Sequence, residues 1–200
     1  MIADLFAGII KLVSGANPRW VGCNPEERQR IYFANHTSHL DAVVLWATLP
    51  MSLRIRTRPV AAQDYWTKSK MRFYLASKVF RAVLIEREKV SLKNNPLDLL
   101  LKALQQGDSL IIFPEGTRGN GRDIQPFKSG LYHLAKKMSD VEFVPVHIDN
   151  MNRILPKGEV LPVPLLSCVS FGESLRLADK ESKSDFLERA RLAIVDLKQS

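Results

Sequence analysis

The stretch IYFANHTSHLDAVVLWATL, residues 31–49, decides the fold. Its first four residues, Ile31 to Ala34, form a short apolar run of the kind a buried strand presents. The run stops at Asn35-His36-Thr37-Ser38, polar residues that favour turns and helix caps. From Leu40 to Leu49 the sequence is apolar again and reads as a helix. His36 therefore lies at a strand-to-helix switch, with Asp41 five residues on. Five residues of regular helix turn the chain by about 500°, which leaves the two side chains roughly 140° apart. They meet only where His36 sits ahead of the first turn and Asp41 inside it, and the turn signal between them permits that. A carboxylate that accepts a proton from one imidazole nitrogen leaves the other nitrogen as a base, the pairing that general-base catalysis needs.

Simpler readings stand beside this one. Ser38 and Asp41 match the S-x-x-D capping box, in which Asp41 only satisfies backbone N–H groups. His36 and His39 also read as a half-exposed pair, or as two ligands of a metal. The metal reading is the weakest. Only His133 and His147 remain to complete such a set, and Cys23 and Cys168 are not in a zinc spacing. The order H-x-x-H-x-D, followed by Ala42, also departs from the H-x-H-x-D-H of a metallo-β-lactamase-like site. No metal is expected.

A second anchor lies at 109–119, SLIIFPEGTRG: a strand from Leu110 to Phe113, then a turn rich in glycine. Gly116 and Gly119 let the backbone approach a ligand closely. Thr117 offers a hydroxyl, and Arg118 the planar fork that pairs with a phosphate. Glu115 has two readings, accepting a hydroxyl of the ligand or holding Arg118. The plain alternative is a glycine-rich turn with a surface ion pair.

An N-H-x4-D segment followed about eighty residues later by F-P-E-G-T-R resembles the glycerolipid acyltransferase family, which contains the 1-acylglycerol-3-phosphate acyltransferases. VLIER at 83–87 looks like that family's intermediate block ending in arginine, and VPVHI at 144–148 like its late strand. PFKSGLYHLA at 126–135 fits the segment after the second motif, so the resemblance covers about residues 30–150. It implies His36 as the base and Asp41 as its orienting partner, with Glu115, Gly116, Thr117 and Arg118 binding the acceptor. Arg87 is a second phosphate candidate and Lys128 a third. The implied donor is acyl-CoA or an acyl-carrier protein, the acceptor is lysophosphatidic acid or a related lysophospholipid, and no cofactor is needed. One departure stands out. The family's intermediate block usually begins with glycine six residues before its arginine, where this chain has Arg81. An added charge beside the acceptor pocket would bear on headgroup preference.

The rest of the 200 residues reads as one domain (1–200) with a real core. Residues 2–13 place Ile2, Leu5, Phe6, Ile9 and Val13 on one helical face, in a stretch far shorter than the ~20 apolar residues that span a bilayer. Residues 1–14 are thus expected either to pack on the domain or to lie in a headgroup layer as an amphipathic membrane-contacting helix. Residues 14–30 read as a linker. The net charge of +8 is concentrated between Arg54 and Lys93, where eleven Lys or Arg face Asp64, Glu86 and Glu88. These cations alternate with Trp66, Met71, Phe73, Tyr74 and Phe80, a pattern suited to an anionic, greasy surface, and no nucleic-acid module accompanies it.

Short strands are expected at 55–62 and 82–86 around a helical region from Tyr65 to Phe80. A helix follows from Pro96 to Gln106, then one at 128–138, a strand at 141–148, a loop marked by Pro156, Pro162 and Pro164, a strand at 165–171, and an amphipathic helix at 182–198. Strands alternating with helices predict an α/β layered domain. The resemblance implies the same, with a mostly parallel sheet flanked by helices and the catalytic motifs at one edge. Two cysteines and the lack of a charged secretory start point to a reduced setting, the cytoplasmic face of a membrane with peripheral attachment. Two other functions fit less of the sequence: a thioesterase-like hydrolase using the same His-Asp pair on water, and a basic peripheral lipid- or nucleic-acid-binding domain without turnover.

Overall fold

A computed structural model describes residues 2–86, 95–121, 123–149 and 167–199. The expected positions Arg87, Pro156, Pro162 and Pro164, and the first residues of the 165–171 strand, lie outside these. Among the described residues seven strands form one sheet: β1 (Asn17–Trp20), β2 (Arg30–Ala34), β3 (Thr57–Ala62), β4 (Val83–Ile85), β5 (Ser109–Ile112), β6 (Glu142–Ile148) and β7 (Cys168–Phe171). Their order is β1-β7-β6-β2-β5-β3-β4. Every neighbouring pair is parallel except β6 with β7. The mostly parallel α/β sheet expected from the sequence is therefore present. β1 is a strand that the sequence hid: Asn17-Pro18-Arg19-Trp20 has no apolar run, and pairing with β7 at an edge, where a proline is tolerated, makes it a strand.

Strand alternation sorts the core into two layers. Tyr32 and Ala34 of β2, with Val144, Val146 and Ile148 of β6, face α1 (Ile2–Ser14) and α2 (Asp41–Thr48). Ile31, Phe33, Leu110 and Phe143 face the other way. There they meet α6 (Pro96–Gln105), α7 (Gly130–Lys137) and α8 (Lys183–Gln199). Central strands buried on both faces are apolar beyond their first residue, as β2 after Arg30 and β5 after Ser109 show. α2 is buried on almost every side, and each fully covered side chain such as Leu45 contributes about 1.5–3 kcal/mol. Asn95 caps α6 by accepting from the Leu97 amide at 3.1 Å, Pro96 opens it, and Gly107 at φ +82° ends it.

The helical region expected from Tyr65 to Phe80 is broken. It divides into α4 (Gln63–Trp66), α5 (Lys70–Tyr74) and a π-turn (Leu75–Val79), after the short α3 (Met51–Arg54) that precedes β3. Ser69 interrupts it, because its hydroxyl accepts from the Arg72 amide at 3.2 Å and starts a new helix.

α1 packs on the domain with one side and leaves the other exposed. Ala3, Phe6, Ala7 and Ile10 pack against the domain, with Phe6 edge-on to Phe80 at 5.5 Å. Ile2, Leu5, Ile9, Leu12 and Val13 remain exposed on the other side. The apolar face read from sequence is thus mostly the outer one, and the inner side combines Ala3 and Ala7 with Phe6 and Ile10.

Candidate functional site

β2 and β5 are neighbours at the middle of the sheet, and both motifs begin where these strands end. The turn after β2 carries His36 into contact with the first residue of α2. His36 Nδ1 lies 2.8 Å from Asp41 Oδ2, and Asp41 is wholly buried. The same oxygen accepts from the amides of Thr37 at 2.6 Å and Ser38 at 2.8 Å. Ser38 does not complete the capping box, since its hydroxyl accepts from Leu40 at 3.3 Å. Asp41 is therefore both the loop's cap and the imidazole's partner. A carboxylate only accepts, so it fixes the proton on Nδ1 and leaves Nε2 as the basic nitrogen.

Three further contacts hold the imidazole and its loop. The His36 ring stacks on Phe113, centroids 4.4 Å apart. Asn35 grips both backbone groups of Ile148, extending the β2–β6 ladder one step with a side chain. Glu115 accepts from the His36 amide at 2.7 Å through Oε1 and from the Gln125 amide at 3.0 Å through Oε2. Burial pushes the Glu115 carboxyl above its usual range, and the two amides pull it back. Neither Glu115 oxygen faces Arg118 in an ion pair among the described residues; both are given to backbone. Phe113 and Asn35 stood inside the motifs without an assigned part, because stacking and strand mimicry leave no mark in spacing.

The turn after β5 is closed by Gly116, at φ +74°, whose amide donates to the Phe113 carbonyl at 3.0 Å. The Gly119 amide returns to the His36 carbonyl at 2.8 Å, so the two motif loops are bonded in both directions. Thr117 and Arg118 are exposed at the tip. The Lys128 side chain lies over Gly116, and its amide donates to the Pro114 carbonyl at 2.9 Å. Five of the six expected acceptor-binding residues, Glu115 to Arg118 and Lys128, thus gather beside His36, with Arg87 outside the described residues.

His39 points elsewhere. Its ring stacks on Tyr65 at 4.7 Å, and the Arg72 guanidinium lies 4.5 Å from the same ring's centre. Burial first, then Arg118, His36 and Arg72, hold the His39 imidazole below its ordinary value.

Arg81 is not beside this site. Its guanidinium reaches the Ile55 carbonyl at 2.8 Å and Asp108 at 3.4 Å, ahead of β3 and β5 and so at the opposite end of the sheet. The sequence expectation of a charge next to the acceptor pocket is corrected by this position. Arg81 has φ +51°, a conformation in which glycine is the unstrained residue, so the departure from the family concerns backbone strain and not the ligand.

The family described as Acyltransferase matches residues 23–149. The chain belongs to this acyltransferase family. Among similar acyltransferases, the 1-acyl-sn-glycerol-3-phosphate acyltransferase of Limnanthes douglasii is 27% identical over 169 residues, covering 82% of this chain and 57% of the relative. The lyso-ornithine lipid O-acyltransferase of Brucella abortus is 28% identical over 138 residues, covering 67% of this chain and 47% of the relative. The chain spans about half the length of the curated relatives it matches. The crystal structure of the 1-acyl-sn-glycerophosphate acyltransferase PlsC from Thermotoga maritima superposes with a TM-score of 0.75. That match has 20% identity, covers all of this chain and 79% of the other, and shows the acyltransferase fold.

Proposed function

We propose that this acyltransferase-family chain moves a fatty acyl group from acyl-CoA or acyl-carrier protein to the free hydroxyl of lysophosphatidic acid or a related lysophospholipid. The observation that carries the reading is the His36–Asp41 pair at 2.8 Å, bonded to the turn that presents Arg118. Nε2 of His36 takes the acceptor's hydroxyl proton as its oxygen attacks the thioester carbonyl. The tetrahedral intermediate collapses, the carbon–sulfur bond breaks, and the imidazolium returns the proton to the leaving thiolate. No acyl-enzyme and no cofactor enter this scheme.

Charge develops on the carbonyl oxygen during the attack and needs donors. The amides of Thr37 and Ser38 are committed to Asp41, and those of Gly116 and Gly119 to carbonyls. In the second loop the Thr117 and Arg118 amides have no partner among the described residues. Arg118, exposed on a backbone fixed by Gly116 and Gly119, suits a phosphate.

The attachment read here is peripheral, on the cytoplasmic face, through the outer side of α1. Leu5 and Leu12 of that side are 68% and 85% exposed, and among the described residues no helix is long and apolar enough to cross a membrane. Cys23 and Cys168 are free thiols, which fits a reducing compartment.

The experiment is a kinetic comparison of lysophosphatidic acid with a neutral monoacylglycerol, in the unaltered chain and in Arg118→Ala. The unaltered chain should strongly prefer the phosphate, and the variant should lose about ten- to a hundredfold in acceptor kcat/KM, the worth of a charge-assisted hydrogen bond. Equal losses on both acceptors would make Arg118 structural. A chain that never favoured phosphate would point to a different headgroup, such as the amino-acid lipid that the Brucella relative's name indicates.

A further inference from the structure

Arg72 occupies an unusual setting. Its side chain is half-buried on α5, its guanidinium lies 4.5 Å from the centre of the Tyr65 ring, and among the described residues no carboxylate pairs with it. Tyr65 in turn carries the His39 ring at 4.7 Å, nearly parallel at 12°. Trp66 stands edge-on to Tyr65 at 5.7 Å and to Phe80 at 5.9 Å, which ties this platform to the core. The Arg72 backbone is fixed as well, since its amide caps on Ser69. Arg118 sits on the glycine-rich turn, next to Gly119, whose amide is bonded to the His36 carbonyl three residues before His39, and both guanidiniums lower the His39 imidazole's proton affinity. Arg118 likewise has no carboxylate partner among the described residues. Asp41 acts on the same ring in the opposite sense, but its carboxylate is given to His36 and to the Thr37 and Ser38 amides, so neither guanidinium is neutralised by it. Two cations held near one neutral ring repel each other at a standing cost. An arrangement of this kind is relieved by an anionic ligand that both can reach.

We propose that Arg72, laid on Tyr65 beside His39, is the second guanidinium of the acceptor phosphate site and sets its preference for a phosphomonoester over a phosphodiester. The inference rests on the proposed function and deepens it. A monoester carries nearly two negative charges at neutral pH, as a protein-bound phosphate does, and a diester carries one. One guanidinium on the turn matches the shared charge, and the second, across His39, matches the extra one. His39 stays neutral between them and adds a single N–H donor. The basic and aromatic pattern of residues 65–72 then serves the site itself as well as any surface.

The test measures KM for three substrates: lysophosphatidic acid (monoester), lysophosphatidylglycerol (diester) and the acyl thioester. The unaltered chain is compared with Arg72→Met, which keeps an apolar stem on Tyr65, with Arg72→Lys, and with Tyr65→Leu, which removes the platform. Arg72→Met should raise the monoester KM by about tenfold, the effect of one charged hydrogen-bonding group, while diester and thioester KM stay within about twofold. Arg72→Lys should recover part of the loss, and Tyr65→Leu should fall the same way as Arg72→Met, to a smaller extent. A parallel rise for monoester and diester would make Arg72 structural and overturn the proposal. A rise confined to the thioester would overturn it in favour of a donor phosphate. The two readings separate cleanly. Absence of phosphate preference in the unaltered chain overturns the proposed function and this inference with it. An intact preference that Arg72→Met leaves unchanged overturns this inference alone.

Discussion

The amide of His36 and the carboxylate of Glu115, 79 residues apart in the chain, are joined at 2.7 Å. Because Gly119 returns a bond to the His36 carbonyl, the backbone of the base is tied to the glycine-rich turn at two points. Glu115 is 5% exposed, and each of its oxygens accepts from a backbone amide, which gives it a part in joining the two loops. We therefore expect Glu115→Gln to act on geometry. A glutamine has one acceptor where two amides must be met, so one of the His36 and Gln125 amides loses its partner, at about 1–3 kcal/mol of stability. kcat should fall while the acceptor KM changes little. A rise in acceptor KM without loss of stability would return Glu115 to direct substrate contact.

Asp41 separates from His36 in the same way. Loss of the base, His36→Ala, should cost about 10²–10⁴ in rate and leave the melting temperature near that of the unaltered chain. Asp41→Ala should cost a similar rate and also about 1–3 kcal/mol of stability, since Thr37 and Ser38 lose their acceptor. The double variant should be little slower than His36→Ala alone, because the pair acts as a unit. Stability curves beside single-turnover rates decide it. An Asp41→Asn variant that melts early yet turns over normally would reduce Asp41 to a cap.

Arg81 gives a prediction against the sequence expectation. Arg81→Gly removes a left-handed side chain at roughly 1 kcal/mol of relief, and gives up half-exposed bonds worth a similar amount. Asp108 keeps Arg58 at 3.0 Å. The unfolding free energy should therefore change by less than about 1 kcal/mol. The kinetic constants for phosphate-bearing and neutral acceptors should not move. A change in acceptor preference would contradict the placement of Arg81 at the far end of the sheet.

His39 predicts a pH dependence. Its ordinary value is 6.5, and burial with Arg118, His36 and Arg72 around it lowers the folded one. Between the folded value and 6.5 the unfolded chain binds more protons at this position, so stability rises with pH there. The contribution is complete above 6.5 and is lost as pH falls through the folded value. His147, lowered by burial, adds a term of the same sign, so the measurement is a difference. Unfolding free energy followed from neutral pH to below 6.5 should fall less steeply in His39→Asn than in the unaltered chain. Identical slopes would mean that His39 titrates like a free imidazole.

Legibility in the sequence followed the range of each interaction. Ile31–Ala34 and Leu110–Phe113 were readable as strands because burial on both faces leaves a continuous apolar run, and the Asn-His-Thr-Ser turn because local polar side chains compete with helix. β1 was not readable, since its pairing with β7 joins residues about 150 apart and leaves its exposed side chains unconstrained. The break at Ser69 was written in the sequence as a cap, but the apolar and aromatic residues from Tyr65 to Phe80 read across it as one helix. Within the site, the His36–Asp41 contact followed from spacing and a turn. Glu115's two amide bonds did not, because its partner at residue 36 is fixed only once β2 and β5 lie side by side.

The last prediction concerns α1, which has one apolar side packed on the domain and one exposed. Ala7 is 2% exposed against the domain, whereas Leu5 and Leu12 face outward at 68% and 85%. Leu5→Glu with Leu12→Glu should leave the far-UV circular dichroism and melting temperature unchanged, because neither side chain contributes to the core. The same double variant should lose flotation with vesicles containing anionic phospholipid, since each leucine withdrawn from water contributes about 1.5–3 kcal/mol to partitioning. Residual binding should weaken further with salt, as expected where the cations of residues 54–93 meet anionic headgroups. Ala7→Glu should do the reverse, opening the contact with α2 and lowering stability before any effect on vesicles is seen. A double variant that floats like the unaltered chain would take α1 out of the membrane contact. One that melts early would mean the outer leucines are covered in solution by another part of the protein.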